Sequence, residues 1–315
     1  MIKSIMRVAL VPSVNGFGHT RRLLSIAVPL RNKGIDCEFL LPCQLGYKSK
    51  LVEIITQKNF QPKIICSNGT DEGPYINFRK HSDCFSTYNK DTIKIFDHVI
   101  CDTVTWLHNW HTSTFLFAQF TWTIFADNYK KIIEKDLTYL QFKKIYGMKY
   151  FTQSSLLRLK TFQSTPILDY WGLSKFANVK AEPKILIAGN GAENIFNLLK
   201  GFDIDLNSEI VYGLENYVKH NSKPLGIICR AGLSTIVECL SANIVPILLK
   251  STDAELLHNY TIAVNMKWAV PFDLIFAKSK EEQINYLYEF QDNICRPEVL
   301  LSTEFVNLTL MKEIA

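Results

Sequence analysis

Arg230-Ala-Gly-Leu-Ser-Thr-Ile-Val-Glu238, directly behind the apolar run Leu225-Gly-Ile-Ile-Cys229, is the stretch on which the fold turns. It reads as a buried strand emerging into a Gly turn, after which Ser234 and Thr235 open a helix that carries Glu238 one turn along. A helix N-terminus offers unpaired N–H groups and a partial positive charge, which suits a diphosphate. A carboxylate at Glu238 is a natural acceptor for ribose hydroxyls. The competing reading is an ordinary capped helix, because Ser-Thr followed by Glu is also a capping pattern. Neighbouring segments have to separate the two.

Outward from this stretch the same unit recurs. Lys184–Ala188 reads as a strand, Gly189-Asn-Gly191 as a turn and Ile195–Lys200 as a helix, while Val245–Leu249 is a further strand. In the first half, Val8–Pro12, Glu38–Leu41, Lys63–Cys66 and His98–Asp102 read as strands, with helices over Leu23–Arg31 and Lys50–Gln57. This βαβ rhythm implies an α/β protein with doubly wound parallel sheets. It breaks over residues 150–182, which predicts two Rossmann-like domains, 1–165 and 166–315, facing a cleft at the carboxyl ends of their strands. No repeat with a period of 20–50 residues is present. Ser67–Lys90, rich in Gly and hydroxyls, reads as a long loop.

Bulk composition narrows the function classes. The 315 residues carry 47% hydrophobic and 21% charged side chains and a net charge of +5, without a dominant basic tract. This argues against nucleic acid as a partner. Eight cysteines show no CxxC pairing and read as buried, reduced thiols of a cytoplasmic protein. No cleavable leader and no run of membrane-spanning length is read from the chain. The aromatic run Trp106, Trp110, Phe115, Phe117, Phe120, Trp122 and Phe125 reads as core. With Lys130, Lys131, Lys143 and Lys144 nearby, a peripheral contact with the inner face of a membrane stays open as an alternative.

Four segments carry candidate chemistry. The first loop, Asn15-Gly16-Phe17-Gly18-His19-Thr20-Arg21-Arg22, has Arg21 where a third Gly would complete a dinucleotide fingerprint, and no acid ends the second strand. A histidine at a helix N-terminus is kept neutral and can act as a general base near pH 7. Gly16, Gly18, Thr20, Arg21 and Arg22 are then acceptor-side candidates, the arginines as holders of a phosphate or carboxylate. Gly189, Asn190, Gly191 and Ala192 could cradle a phosphate with their amides. Arg230, Gly232, Ser234, Thr235 and Glu238 form the stretch quoted first. Asp253, Glu255 and Asn259 could accept from sugar hydroxyls, unless Ser251, Thr252 or Asp253 is simply a helix cap. Asp203-Ile-Asp205 lies in a polar link and His108-Asn-Trp-His111 lacks further ligands, so no metal and no cofactor is expected.

These segments, in this order, resemble the GT-B nucleotide-sugar glycosyltransferases. Gly18-His19 is similar to the N-terminal Gly-His loop of the lipid-II N-acetylglucosaminyltransferase branch. Arg230, Gly232, Thr235 and Glu238 match its R/S-x-G-x-x-T-x-x-E signature, and Asp253 and Asn259 loosely match a following D-x-x-Q-x-x-N, with Glu255 near the usual Gln. Gly-His-Thr-Arg-Arg and Phe120–Tyr129 also resemble predicted GHxxR glycosyltransferases, and the UDP-sugar hydrolase of pseudaminic acid synthesis shares the Gly-x-Gly-His-x-x-Arg form. The resemblance implies a hexosyltransferase that works by inverting, metal-independent transfer from a nucleotide diphosphate sugar, with UDP as the nucleotide, to a hydroxyl acceptor such as a cell-surface glycan or lipid-linked precursor. His19 would be the base and Asp102 either the alternative base or the group that orients it. Hydrolysis with water as acceptor is the alternative, and an inactive nucleotide-binding relative is a third. Two departures stand out: only residues 192–225 separate the Gly191 loop from the signature strand, and Glu255 adds a negative charge near the donor.

Overall fold

The computed structural model describes residues 5–13, 17–41, 48–64, 90–104, 111–120, 141–189, 191–199, 210–211, 214–220 and 222–315. Several expectations fall outside them: Gly16, Asn190, the body of the 67–90 loop, Asp203 and Asp205, His108, the 121–140 segment, Trp106 and Trp110.

Continuous apolar runs set the first sheet. Val8-Ala-Leu-Val11 is fully buried, as parallel strands covered on both faces require. It lies within β1 (Arg7–Pro12), followed by α1 (Phe17–Asn32), β2 (Asp36–Leu41), α2 (Lys48–Thr56), β3 (Lys63–Ile64), α3 (Lys90–Lys94), β4 (His98–Asp102), β5 (Thr114–Phe117), β6 (Lys144–Met148), α4 (Ser154–Leu157) and β7 (Phe162–Thr165). All pairs are parallel, in the order β3-β2-β1-β4-β5-β6-β7. The strand order reverses direction between β1 and β4. In such sheets ligands gather beyond the carboxyl ends of the strands at that point.

The second sheet follows the same logic. Its elements are β8 (Ile167–Asp169), β9 (Glu182–Ala188), α5 (Ala192–Leu199), β10 (Ile210–Val211), α6 (Leu214–His220), β11 (Pro224–Arg230), α7 (Leu233–Ala242), β12 (Val245–Leu249), α8 (Ala254–Asn265), β13 (Val270–Pro271), α9 (Phe272–Phe276), α10 (Lys280–Asn293) and β14 (Val299–Leu301). Five strands run parallel in the order β10-β9-β11-β12-β13, with β14 paired to β8 apart from them. Here the order reverses between β9 and β11. Of the short span 192–225, the described residues hold α5, the two-residue β10 and α6 before β11 begins.

The chain forms two compact units, Met1–Thr165 with Ser302–Ala315, and Pro166–Leu301. The expected continuous domain 166–315 is corrected at its end, because the last residues, α11 (Ser302–Phe305), a π-helical turn (Val306–Leu310) and α12 (Met311–Ile314), belong to the first unit. The cause is packing and pairing that the linear sequence does not reveal. The Phe305 ring sits 5.7 Å from Phe117 and 5.1 Å from Tyr146, both edge-on. His98 Nε2 lies 3.0 Å from the Ile314 carbonyl. Lys143 donates to the Glu313 carbonyl, and Lys144 lies 3.5 Å from the Glu313 carboxylate. Both lysines are therefore engaged with the C-terminal segment, and Lys130 and Lys131 lie outside the described residues. Phe115, Phe117 and Phe120 are core residues. Among the described residues no helix is long and apolar enough to cross a membrane. Cys101, Cys229 and Cys239 are buried free thiols, whereas Cys295 is exposed, against the expectation of burial.

Candidate functional site

α1 begins at Phe17, six residues before the expected start at Leu23, which places Gly18 and His19 in its first turn. The helix packs on β1, β2 and β4 on one side and on the C-terminal segment on another. Several of its polar residues are buried, with His19 6%, Thr20 0% and Arg22 4% exposed. β1 and β4 are neighbours, and Ser13 N donates to the Asp102 carbonyl at 3.0 Å just past their last paired residues. The helix start after β1 is thereby set against the end of β4.

His19 Nδ1 lies 2.8 Å from Asp102 Oδ1, inside the protein. The two residues are 83 positions apart in sequence, so their meeting is a product of the strand order. Arg22 Nε lies 2.9 Å from the other carboxylate oxygen, without its N–H pointing along that line, so the contact is ionic rather than a directed hydrogen bond. Arg22 Nη1 donates to Gln119 Oε1 at 2.5 Å, just beyond β5. The expectation that Arg22 holds an acceptor phosphate is corrected: its guanidinium is buried and committed to Asp102 and Gln119. The physical reason is that a fully buried carboxylate, as Asp102 is, needs a compensating charge. Thr20 is buried as well, its hydroxyl without a hydrogen-bond partner among the described residues. Arg21, half-buried on the next face, keeps an acceptor role open.

Thr103 is the residue that sequence reading missed. It has φ 57, a left-handed conformation that is a genuine outlier for a β-branched residue and costs about 1–3 kcal/mol. Its amide donates to the Phe117 carbonyl at 2.9 Å. Its hydroxyl donates to Asp102 Oδ1 at 2.8 Å and lies 2.9 Å from His19 Nδ1. The available signal was the Asp-Thr pair at a strand end, but backbone strain at a non-glycine residue has no sequence signature.

In the second unit the reversal point between β9 and β11 gathers the donor-side candidates. Gly189 and Gly191 have φ 92 and 85, values that only glycine adopts readily. A Cβ on Gly189 would stand 3.1 Å from Thr235 Oγ1, and one on Gly191 3.3 Å from Arg230 Cδ. The Gly loop and the Arg230–Thr235 stretch are thus in contact. α5 opens at Ala192, three residues before the expected Ile195.

α7 begins at Leu233 rather than Ser234, with Gly232 as its N-cap and no side-chain capping bond. The capping interpretation of Ser234, Thr235 and Glu238 is therefore set aside. The first i to i−4 bond runs from Ile236 N to Gly232 O, so the amides of Leu233, Ser234 and Thr235 precede the helical ladder. Ser234 and Thr235 are half-buried and Arg230 is exposed. Glu238 is buried deeper in α7. Burial, and secondarily the Glu238 charge, push the neighbouring Cys229 thiol up to about 12.

Beyond β12, Asp253 is the N-cap of α8, its carboxylate accepting from Leu256 N at 3.1 Å. The capping role weighed for it is real and occupies one of its oxygens. Glu255 is half-buried in the first turn of that helix. Asn259 is fully buried, and among the described residues neither atom of its carboxamide has a hydrogen-bond partner. Such an orphaned amide is costly and calls for a water or a ligand atom. The three donor-side segments follow three adjacent parallel strands, β9, β11 and β12.

No protein-family model and no curated protein matches the chain. Solved structures do. A UDP-glucosyltransferase from Polygonum tinctorium capable of glucosylating indoxyl matches with a TM-score of 0.64 at 10% identity, over 100% of this chain and 99% of that one. UGT2 of Phytolacca americana, complexed with UDP-2fluoro-glucose and pterostilbene, matches at 0.61 and 11% identity, over 98% and 100%. The Streptomyces sp. SF2575 glycosyltransferase SsfS6 matches at 0.57 and 11%, over 96% and 99%. Likeness at such identities speaks to fold, and with the two parallel sheets described above it gives this chain the GT-B fold.

Proposed function

We propose that the chain is an inverting, metal-independent glycosyltransferase that moves a hexose from a uridine diphosphate sugar to a hydroxyl acceptor. The observation that carries this reading is the buried His19–Asp102 pair, built where the first sheet reverses. Asp102 Oδ1 at His19 Nδ1 favours the tautomer with the proton on Nδ1, leaving Nε2 to receive a proton. His19 Nε2 takes the proton from the acceptor hydroxyl as its oxygen forms the bond to the anomeric carbon. The bond from that carbon to the diphosphate breaks on the opposite face, and its electron pair leaves with the nucleotide. Asp102, with no exposed surface, orients the ring and stabilises the imidazolium.

Charge growing on the departing diphosphate is met by the Gly189–Ala192 turn and the uncapped start of α7. Arg230, which lies against Gly191, adds a cation there, and Glu238 holds the ribose. Asp253, Glu255 and Asn259 face the sugar side of the donor. Uridine is supported by the UDP ligands of the structural neighbours. The acceptor class, a cell-surface or lipid-linked precursor handled on the cytoplasmic side, rests on the motif resemblance.

The test is a binding panel of UDP, TDP, GDP and CDP, followed by turnover of the matching sugar nucleotide with and without acceptor. Preference for UDP with acceptor-dependent release supports the proposal. Equally fast release in water alone would replace transfer with hydrolysis.

A further inference from the structure

Nothing in the reaction as proposed uses Thr103, yet it is the most constrained residue of the first unit's site. Its Oγ1, His19 Nδ1 and Asp102 Oδ1 form a closed triangle with sides of 2.8, 2.8 and 2.9 Å. With the ring proton on Nδ1, the tautomer that Asp102 favours, two protons are shared among these three atoms. Asp102 Oδ1 can only accept, so the hydroxyl proton of Thr103 points to it. The remaining proton, on Nδ1, then points into the fork between Oδ1 and Oγ1. Were the ring proton on Nε2 instead, the Nδ1 lone pair would face the carboxylate at 2.8 Å, and the single hydroxyl proton could satisfy only one of them.

We infer that Thr103 is a positioning residue for the His19–Asp102 pair: its hydroxyl holds Asp102 Oδ1 in place as the acceptor of the Nδ1 proton that Asp102 itself favours, and so fixes the plane of the ring. The inference rests on His19 being the base. The left-handed backbone at Thr103 is part of the device. Its amide is tied to the Phe117 carbonyl and its side chain to both members of the pair, so the surroundings hold a conformation that the residue would not choose by itself. The buried Arg22, ion-paired to the other oxygen of the same carboxylate, leaves Asp102 Oδ1 to His19 and Thr103.

The experiment uses the full chain labelled with 15N and long-range proton–nitrogen correlation, with the His19 ring signals identified by their loss in His19→Gln. The wild-type protein should show one tautomer, with the proton on Nδ1. Thr103→Val, which keeps the shape and removes the hydroxyl, should keep that tautomer but shift the Nδ1–H proton resonance, and kcat should fall roughly 10- to 100-fold with KM changed by less than about twofold. Thr103→Ser should restore both. Thr103→Gly, which accepts a positive φ, should lose kcat in the same way while its Tm holds or rises, whereas a purely structural threonine would lower both.

An unshifted Nδ1–H resonance in Thr103→Val, or equal losses in the Val and Ser variants, overturns the inference. The ring signals decide this independently of activity. Undiminished turnover in a His19→Ala variant would instead overturn the catalytic reading on which the inference stands.

Discussion

Replacing Arg22 by methionine separates a buried brace from an acceptor-binding arginine. Methionine fills much of the same volume without charge. In the wild-type protein Arg22 Nε and Asp102 Oδ2 are 2.9 Å apart with both side chains almost fully enclosed, a separation at which the attraction is about 6 kcal/mol for an effective dielectric of 20. Part of that offsets desolvation already incurred, so the net loss on removing one partner of such a pair is about 3–5 kcal/mol. Gln119 also loses its short bond from Arg22.

Urea unfolding of Arg22→Met should therefore show a midpoint lower by roughly 2 M, taking a slope of about 2 kcal/mol per molar. The double variant Arg22→Met with Asp102→Asn should recover part of the loss, because the amide leaves no stranded charge. If Arg22→Met costs less than about 1 kcal/mol and instead raises acceptor KM, the brace assignment is refuted.

Two further perturbations test other parts of the account. Gly189→Ala forces a side chain onto φ 92 and against Thr235, and should weaken nucleotide binding by roughly tenfold or more, a strain of about 1–3 kcal/mol. Gly172→Ala, at φ 70 with nothing near its would-be Cβ, is the control that carries strain but should spare affinity in a calorimetric titration. Lys223, enclosed beneath the Phe176 and Ala177 carbonyls to which it donates, has its amine lowered to about 8 from the ordinary 10.5, by burial first and then by Arg296. Between these values the unfolded chain keeps a proton that the folded one has released, so stability should rise with pH over that window and lose this contribution below about pH 8. Lys223→Met should flatten the rise in a Tm series from pH 7 to 10.5, and an unaltered slope would show that another group causes it.

How much of this was legible beforehand depended on whether the deciding interaction was local. Val8–Pro12, His98–Asp102, Leu225–Cys229 and Val245–Leu249 announced themselves as apolar runs, since a strand buried on both faces has to be continuous. The Arg230–Glu238 stretch was equally readable, because a strand, a tight turn and a helix start follow one another in sequence. Arg22 was misassigned because a charge is visible in a sequence and its burial is not. Its commitment is to Asp102 and Gln119, residues 80 and 97 positions further along the chain, which the strand order brings beside α1. The C-terminal segment moved the domain boundary, through Phe305, Glu313 and Ile314 meeting β4, β5 and β6. Thr103 was hidden for a different reason, its importance residing in a backbone angle. Ser234 and Thr235 were ambiguous until the helix was seen to start one residue earlier, with glycine as its cap.

The central claim is that His19 performs the chemistry while a separate part of the chain binds the nucleotide. It is tested most directly by titrating UDP calorimetrically into the wild-type and His19→Ala proteins and measuring turnover of the same two samples with the best sugar nucleotide. UDP affinity should agree within about twofold, whereas turnover should fall by roughly 10²–10⁴, the range expected for loss of a general base. Turnover in His19→Ala within about threefold of wild type, with affinity intact, would contradict the account.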